Sequence, residues 1–175
     1  MTSEEISARA EELMSQERWE SALDLIEEIH VESRSWQLNW NCGWALLKLG
    51  RHKDAARALR RSVLQNPSEA ICHWALGEAL VECVELALAE KHLLVALSIR
   101  DGRLARCTLA LLYMRQGRFE EAERVHLDGL QLKPASRERL EAYADFLDDT
   151  GREAEAGAAR ARAASLPPRP QKAAR

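Results

Sequence analysis

The chain has 175 residues, of which 46% are hydrophobic and 30% charged, a composition typical of a folded globular domain. Its net charge of −3 gives no basic stripe for nucleic acid, and no apolar run approaches the roughly 20 residues that span a bilayer. The acidic start Thr2-Ser3-Glu4-Glu5 does not look like a signal peptide, so we expect a cytoplasmic protein that binds neither nucleic acid nor membranes.

A repeat with a period of 33 or 34 residues runs along the chain. Small residues recur at this spacing, and so do the residues expected to follow the second helix of each unit. These two sets are Ala22, Ala55, Ala89, Ala122 and Ala156, and Pro67, Asp101, Pro134 and Pro168. Five units follow, at approximately residues 3–35, 36–69, 70–102, 103–136 and 137–166. Units of this length stack on one another, because each buries its apolar face against its neighbours.

Each unit predicts a helix hairpin, since apolar residues recur every three or four positions on both sides of a break. Gly50, Gly117 and Gly151 stand at the break, where the first helix must end and the chain must reverse. The first and third units lack this glycine and have Glu17 and Val84 there. Strand signals are almost absent, so we expect an all-α fold.

The stretch from Ala70 to Leu80, followed by Ala89, Leu93 and Ala96, closely resembles the tetratricopeptide repeat. The next unit carries the same pattern in Leu109, Ala110, Tyr113, Gly117, Phe119, Ala122 and Pro134. The resemblance covers nearly the whole chain. It implies a right-handed α-solenoid of about five helix hairpins that binds another polypeptide in a concave groove.

The end of the chain departs from the repeat pattern. In the fifth unit Glu153 and Arg160 replace apolar residues, as a solvent-facing terminal cap would require. Residues 167–175 contain three prolines and three basic residues and predict a disordered tail.

No motif for catalysis, phosphate binding or a cofactor occurs in the sequence. The four cysteines have no C-x-x-C spacing and are expected to be small buried side chains, with a disulfide or redox role as the alternative; they are Cys42, Cys72, Cys83 and Cys107. Cys72 and His73 are adjacent, but adjacent helical side chains point about 100° apart, which favours packing of His73 over metal ligation. We expect no enzymatic activity, no metal and no cofactor.

Tryptophan is the informative residue type, with five in a chain that has two tyrosines and two phenylalanines. Trp36, Trp40 and Trp44 recur every four residues and form a stripe along one helix. Trp74 holds in the third unit the place of Trp40 in the second. In tetratricopeptide proteins this place faces the ligand groove, whereas the residue before it faces the neighbouring helix. The resemblance thus implies that Trp40, Trp44 and Trp74 line a groove; packing between helices is the alternative.

The same register extends this face along the chain. The predicted partner-binding residues are Trp40, Trp44, Trp74, Leu47, Ile71, Glu78, Leu104, Cys107, Leu111, Glu141, Asp145 and Asp148. Gln37, Lys48, Val81 and Met114 also fall on this face by the same register. Trp19, in contrast, is expected to pack between helices, at a position that His52 and Phe119 hold in their own units.

The partner follows from the chemistry of this face. An apolar centre rich in tryptophan, with acidic residues in the last unit, favours a protein segment with bulky apolar anchors beside lysine or arginine. An adaptor or dedicated chaperone is the leading function. The alternatives are a scaffold that self-associates through solenoid ends or the convex face, giving a homo-oligomer, and an accessory subunit of a larger complex.

Overall fold

The computed structural model describes residues 2–132 and 136–166, and the regular structure in these ranges is helical. The tail predicted for residues 167–175 lies outside them. The helices are α1 (Ser3–Ser15), α2 (Trp19–Glu27), α3 (Trp36–Lys48), α4 (His52–Gln65), α5 (Ala70–Glu82), α6 (Leu86–Ile99), α7 (Arg103–Arg115), α8 (Phe119–Leu132), α9 (Arg137–Asp149) and α10 (Glu153–Ser165), with a short 3₁₀ turn at Val31–Ser33.

The starts of α1 and α3 are capped by side chains that satisfy free backbone N–H groups. Thr2 and Glu5 form a reciprocal capping box at the start of α1, with donor–acceptor distances of 2.8 and 3.2 Å. The hydroxyl of Ser35 accepts a hydrogen bond from the backbone N–H of Leu38 at the start of α3. These caps begin the first helix of the first two hairpins.

The turn position expected from the sequence adopts the left-handed backbone conformation in every unit. Gly50, Gly117 and Gly151 have φ of 72°, 73° and 76°, and Glu17 and Val84 have φ of 58° and 63°. After each turn, a backbone N–H returns to the carbonyl five residues earlier at 2.8 or 2.9 Å, in the pairs Arg18–Leu13, Arg51–Leu46, Glu85–Leu80, Arg118–Tyr113 and Arg152–Leu147. A side chain at positive φ costs about 1–2 kcal/mol, so Glu17 and Val84 are strained where glycine is not.

Within a hairpin, the second helix packs closely against the first. Gly43 of α3 and Gly77 of α5 make this approach possible, because a Cβ atom at these positions would lie 2.4 Å from Leu59 Cγ and 2.7 Å from Leu93 Cγ. The repeated alanines Ala22, Ala55, Ala89, Ala122 and Ala156 are all fully buried. Small residues therefore set the spacing between paired helices.

The chain forms two compact units that divide inside α7, between Thr108 and Leu109. In the first unit, α1 packs on α2, α3 on α4 and α5 on α6, and these hairpins pack on one another through α2–α3, α1–α3, α4–α5 and α3–α5 contacts. In the second unit, α9 packs on both α8 and α10. Each unit has its own leucine core; the largest buried leucines are Leu38, Leu59, Leu76, Leu80 and Leu93 in the first and Leu109, Leu112, Leu140 and Leu147 in the second.

The cysteines only partly match the expectation of burial. None of the four forms a disulfide bond, and Cys42 and Cys72 are buried. Cys83 and Cys107 are partly exposed, so the expectation is wrong for these two. Cys83 lies at the end of α5, where the chain turns away and leaves the side chain at the edge of the hairpin.

Candidate functional site

Three aromatic side chains of the first unit form one cluster, which we call the tryptophan cluster: Trp40 and Trp44 on α3 and Trp74 on α5. The rings of Trp40 and Trp44 are stacked, with centroids 6.1 Å apart and planes 6° apart. The Trp44 and Trp74 rings are tilted, with centroids 5.2 Å apart. Residues four apart on a helix share a face, so α3 aligns the first pair and α5 brings the third ring against it.

Trp74 is the buried member of the cluster, with only 7% of its surface exposed. Its Nε1–H donates a hydrogen bond of 3.1 Å to the hydroxyl of Thr108 on α7. The predicted exposure of this ring to a groove is wrong, because Trp44 and Thr108 both contact it. Trp74 therefore joins three helices and positions Trp44.

The Trp44 ring makes a cation–π contact with a lysine of its own helix. The Nζ atom of Lys48, one helical turn later, lies 4.3 Å from the centroid of the Trp44 ring. The ring also contacts Trp40 and Trp74. Lys48 thus already makes the cation–π contact with Trp44 that a basic partner residue could have made.

Trp40 is the member with an unmet polar requirement. Its ring is partly exposed, but its Nε1 atom is buried and has no hydrogen-bond acceptor among the described residues. Buried indole N–H groups nearly always have an acceptor, because an unsatisfied donor costs roughly 1–3 kcal/mol. Trp40 therefore combines an apolar contact surface with a buried donor that a partner carbonyl can reach only when neighbouring side chains move.

Glu78 lies one turn after Trp74 on α5 and is partly buried. Burial raises the pKa of its carboxyl group, and the positive charge of Lys48 opposes this shift. No hydrogen bond or ion pair to Glu78 occurs within the part of the chain that the structure describes. A cationic side chain placed beside Glu78 would compensate the desolvation of this carboxylate.

The other predicted residues of the first unit differ in exposure. Leu104 is 46% exposed, and Leu47, Ile71 and Cys107 are partly exposed, so their predicted role stays open. Val81, placed on the same face by the register, is 2% exposed and belongs to the core. Thr108 is not among the residues predicted from the sequence, although it follows Trp74 by 34 residues, so the repeat spacing could have identified it.

In the second unit, the predicted acids are exposed on α9 but are not all unpaired. Arg160 of α10 pairs with Asp145 at 2.9 Å and with Asp148 at 2.5 Å. The polar Arg160, a departure from the repeat pattern, therefore neutralises part of the acidic face. Glu141 is exposed on the same helix, and Leu111 of α7 is 43% exposed.

The adjacent Cys72 and His73 have separate partners. The Sγ atom of Cys72 lies 3.1 Å from Ser62 Oγ. Nε2 of His73 lies 3.0 Å from the Pro67 carbonyl oxygen, and Nδ1 of His73 lies 3.0 Å from Nδ1 of His92. Among the described residues, no group of three or more His, Cys, Asp or Glu side chains could hold a metal ion. No helix in the described ranges is long and apolar enough to cross a membrane.

Paired helices of 9 to 14 residues, left-handed turns and buried alanines at a fixed period define a protein of stacked helix hairpins. Residues 41–103 and 109–140 match the tetratricopeptide repeat, so the chain belongs to the tetratricopeptide repeat family. The all-α solenoid class expected from the sequence is confirmed by solved structures. TTC0263, a thermophilic repeat protein of Thermus thermophilus, has a TM-score of 0.77 and 22% identity over 96% of this chain and 93% of that chain. MamA has a TM-score of 0.70 and 17% identity over 89% and 92%.

A curated relative is the protein O-mannosyl-transferase Tmtc1 of Drosophila melanogaster, which is 35% identical over 147 residues. The match covers 78% of this chain but 16% of that protein. The chain thus spans a small part of the transferase. Membership of the repeat family places the chain among protein–protein interaction modules.

Proposed function

We propose that this protein is a non-enzymatic adaptor or dedicated chaperone that holds an apolar segment of a partner protein against the tryptophan cluster. Trp40 is the observation that carries the proposal, because its partly exposed ring has a buried N–H without an acceptor in the described residues. The partner segment supplies a bulky apolar side chain for the ring, and a backbone carbonyl for the N–H once neighbouring side chains move to expose this buried donor. Both contacts are typical of groove recognition of peptides.

A basic residue in the partner segment is the second element of the proposal. Glu78 is a partly buried carboxylate without an ion pair in the described residues, and Lys48 is already held over Trp44. A partner lysine or arginine would therefore pair with Glu78, not with the Trp44 ring. Leu47, Ile71, Leu104 and Cys107 remain proposed apolar contacts. Leu111, Glu141, Asp145 and Asp148 remain proposed contacts of the second unit.

A random peptide display library, selected on the full chain, tests this proposal. We expect enriched peptides with aromatic or large aliphatic residues near lysine or arginine. Trp40→Phe keeps a six-membered aromatic ring and removes the N–H together with the five-membered ring, and Glu78→Gln keeps the shape and removes the charge. Each should weaken binding of an enriched peptide about five- to tenfold, the effect of one hydrogen bond or partly buried ion pair of about 1–1.4 kcal/mol.

The control is Leu64→Ser, which changes a leucine that is 80% exposed on α4 of the same unit. It should leave peptide affinity unchanged. Enriched peptides that bind wild type, Trp40→Phe and Glu78→Gln equally well would contradict the proposed site. All variants must keep the helical circular dichroism of the wild type.

A further inference from the structure

The second unit has a cleft that involves none of the residues of the tryptophan cluster. It has a volume of about 490 Å³ and opens to solvent between the start of α8, the end of α9 and the start of α10. The lining residues that matter here are Phe119, Glu120, Glu123, Phe146, Asp149 and Arg152. The cleft thus brings two aromatic rings, three carboxylates and one guanidinium together.

Phe119 provides an exposed aromatic face at this cleft. Its position was expected to pack between helices, as the position of Trp19 was, but its side chain is 50% exposed. Phe146, in contrast, is 4% exposed and is fixed by ring contacts with His126 and Tyr143, at centroid distances of 5.3 and 6.2 Å. The cleft thus has one buried ring in its wall, that of Phe146, and one exposed ring that a ligand can contact, that of Phe119.

Arg152 is the only arginine among the lining residues named above, and its guanidinium already forms hydrogen bonds within the chain. Arg152 donates to Glu123 Oε1 at 2.7 Å and to both carboxylate oxygens of Glu155 at 2.8 and 2.6 Å. Tyr143 donates a further 2.7 Å hydrogen bond to Glu123. That hydrogen bond and Arg152 lower the pKa of Glu123, so this carboxylate stays ionised. These bonds hold one wall of the cleft in a fixed arrangement.

Two further carboxylates lining the cleft have no such partner. Glu120 and Asp149 are exposed, and neither has a hydrogen bond or ion pair within residues 2–132 and 136–166. Together with Glu123 and Glu155 they make four carboxylates around the single Arg152. The local excess of three negative charges, beside an exposed ring, is complementary to a cation with a flat, weakly hydrated head group.

We propose that this cleft binds an arginine side chain of a partner polypeptide, with the guanidinium stacked on Phe119 and paired with Glu120 and Asp149. Arginine fits better than lysine, because its planar guanidinium stacks on aromatic faces and meets carboxylates with two parallel hydrogen bonds. An ammonium group is compact and more strongly hydrated. The cleft shares no residue with the tryptophan cluster, so this inference goes beyond the proposed function and does not depend on it.

Nuclear magnetic resonance titration of the ¹⁵N-labelled full chain tests the inference with three small probes. N-acetyl-arginine N-methylamide is the ligand, its lysine counterpart is the competitor, and the citrulline counterpart is a neutral compound of nearly the same shape. We expect saturable shifts of backbone amides near Phe119 and Asp149 with the arginine probe. The lysine probe should bind at least threefold more weakly, the citrulline probe should give no saturable shift, and added salt should weaken binding.

Two variants and a matched control locate the site. Phe119→Leu keeps an apolar side chain and removes the π face, and Asp149→Asn removes one charge; each should weaken the arginine probe about two- to fivefold. Asp128→Asn removes the same charge from an exposed position of α8 outside the cleft and should have no effect. All three positions are exposed, so the amide spectrum away from the substitution should match the wild type.

Three results would overturn the inference. The first is a citrulline probe that shifts the same amides as strongly as arginine, because then charge is not recognised. The second is an Asp128→Asn effect as large as that of Asp149→Asn, because then only the overall field attracts the probe. The third is movement of the same amides with protein concentration alone, because then a second copy of the chain occupies the cleft. Failure of the tryptophan-cluster experiment would leave all these results unchanged.

Discussion

Gly43 lies at the closest approach between the two helices of the second hairpin, so Gly43→Ala should destabilise the first unit. A Cβ atom there would lie 2.4 Å from Leu59 Cγ, 2.8 Å from Cδ2 and 3.1 Å from Cδ1. Carbon atoms at rest are about 3.5–4.0 Å apart, so Leu59 would have to move by more than about 1 Å. Rotation about the Cβ–Cγ bond leaves Cγ in place, and rotation about the Cα–Cβ bond would move the side chain into neighbouring atoms, because the residue is fully buried.

The expected magnitude follows from two opposing contributions. Overpacking of a tight core costs about 1–3 kcal/mol, and an overlap with three atoms belongs at the upper end of this range. Alanine in a helix interior recovers about 1 kcal/mol relative to glycine. The net loss in the free energy of unfolding should be about 2 kcal/mol. Gly157 of α10 has no atom within 4 Å of the position that a Cβ atom would occupy, so Gly157→Ala should stabilise the second unit by about 1 kcal/mol.

Urea denaturation measures both effects. All five tryptophans fall within residues 1–108, so their fluorescence reports on the first unit, and circular dichroism adds the second. Leu59→Ala provides the internal check: it should cost about 2–5 kcal/mol by itself, but Gly43→Ala should add no further loss in that background. An undiminished Gly43→Ala penalty in the Leu59→Ala background would refute the close contact, and so would a Gly43→Ala variant more stable than the wild type.

The remaining predictions concern backbone strain and pH. Val84→Gly should raise stability by about 1 kcal/mol in urea denaturation, because Val84 has φ of 63°, and Gly50→Val at the equivalent turn should lower it similarly; equal midpoints for the two would contradict the strain. His92 has a pKa lowered from 6.5 to about 4 by burial and by His73, so the unfolded chain binds more protons between these values and stability should fall as pH drops through this window. Because His92 is partly exposed, the loss should be about 1–2 kcal/mol, and His92→Gln should flatten the pH profile of the urea midpoint; an unchanged profile would exclude His92 as its source.

The sequence predicts backbone features of this protein better than side-chain exposure. The period of 33 or 34 residues identifies the turn positions, including the non-glycine residues Glu17 and Val84, because left-handed turns and buried alanines recur with each hairpin. Exposure depends on which side chains meet across neighbouring helices. Trp74 is buried by Trp44 and Thr108, and helical periodicity within α5 contains no information about either contact.

The same limitation explains why the cleft at Phe119 was not expected. The repeat pattern places an aromatic residue at the start of α8, but it does not determine whether the following hairpin covers the ring. Here the neighbouring positions at the end of α9 and the start of α10 are occupied by Asp149 and Arg152. Arg152 pairs with Glu123 and Glu155 and does not cover the Phe119 ring, which stays 50% exposed.

The three residues of the tryptophan cluster should therefore respond to mutation for different physical reasons. Trp74 is buried and hydrogen-bonded to Thr108, so loss of peptide binding after Trp74→Ala would report mainly on a destabilised first unit. Trp44 is enclosed by Trp40, Trp74 and Lys48, so its replacement would disturb the cluster as a whole. Trp40→Phe changes a partly exposed ring: it removes the N–H and the five-membered ring and leaves a six-membered ring to pack on Trp44. Among the three, this change should disturb the fold least and is therefore the best test of partner recognition.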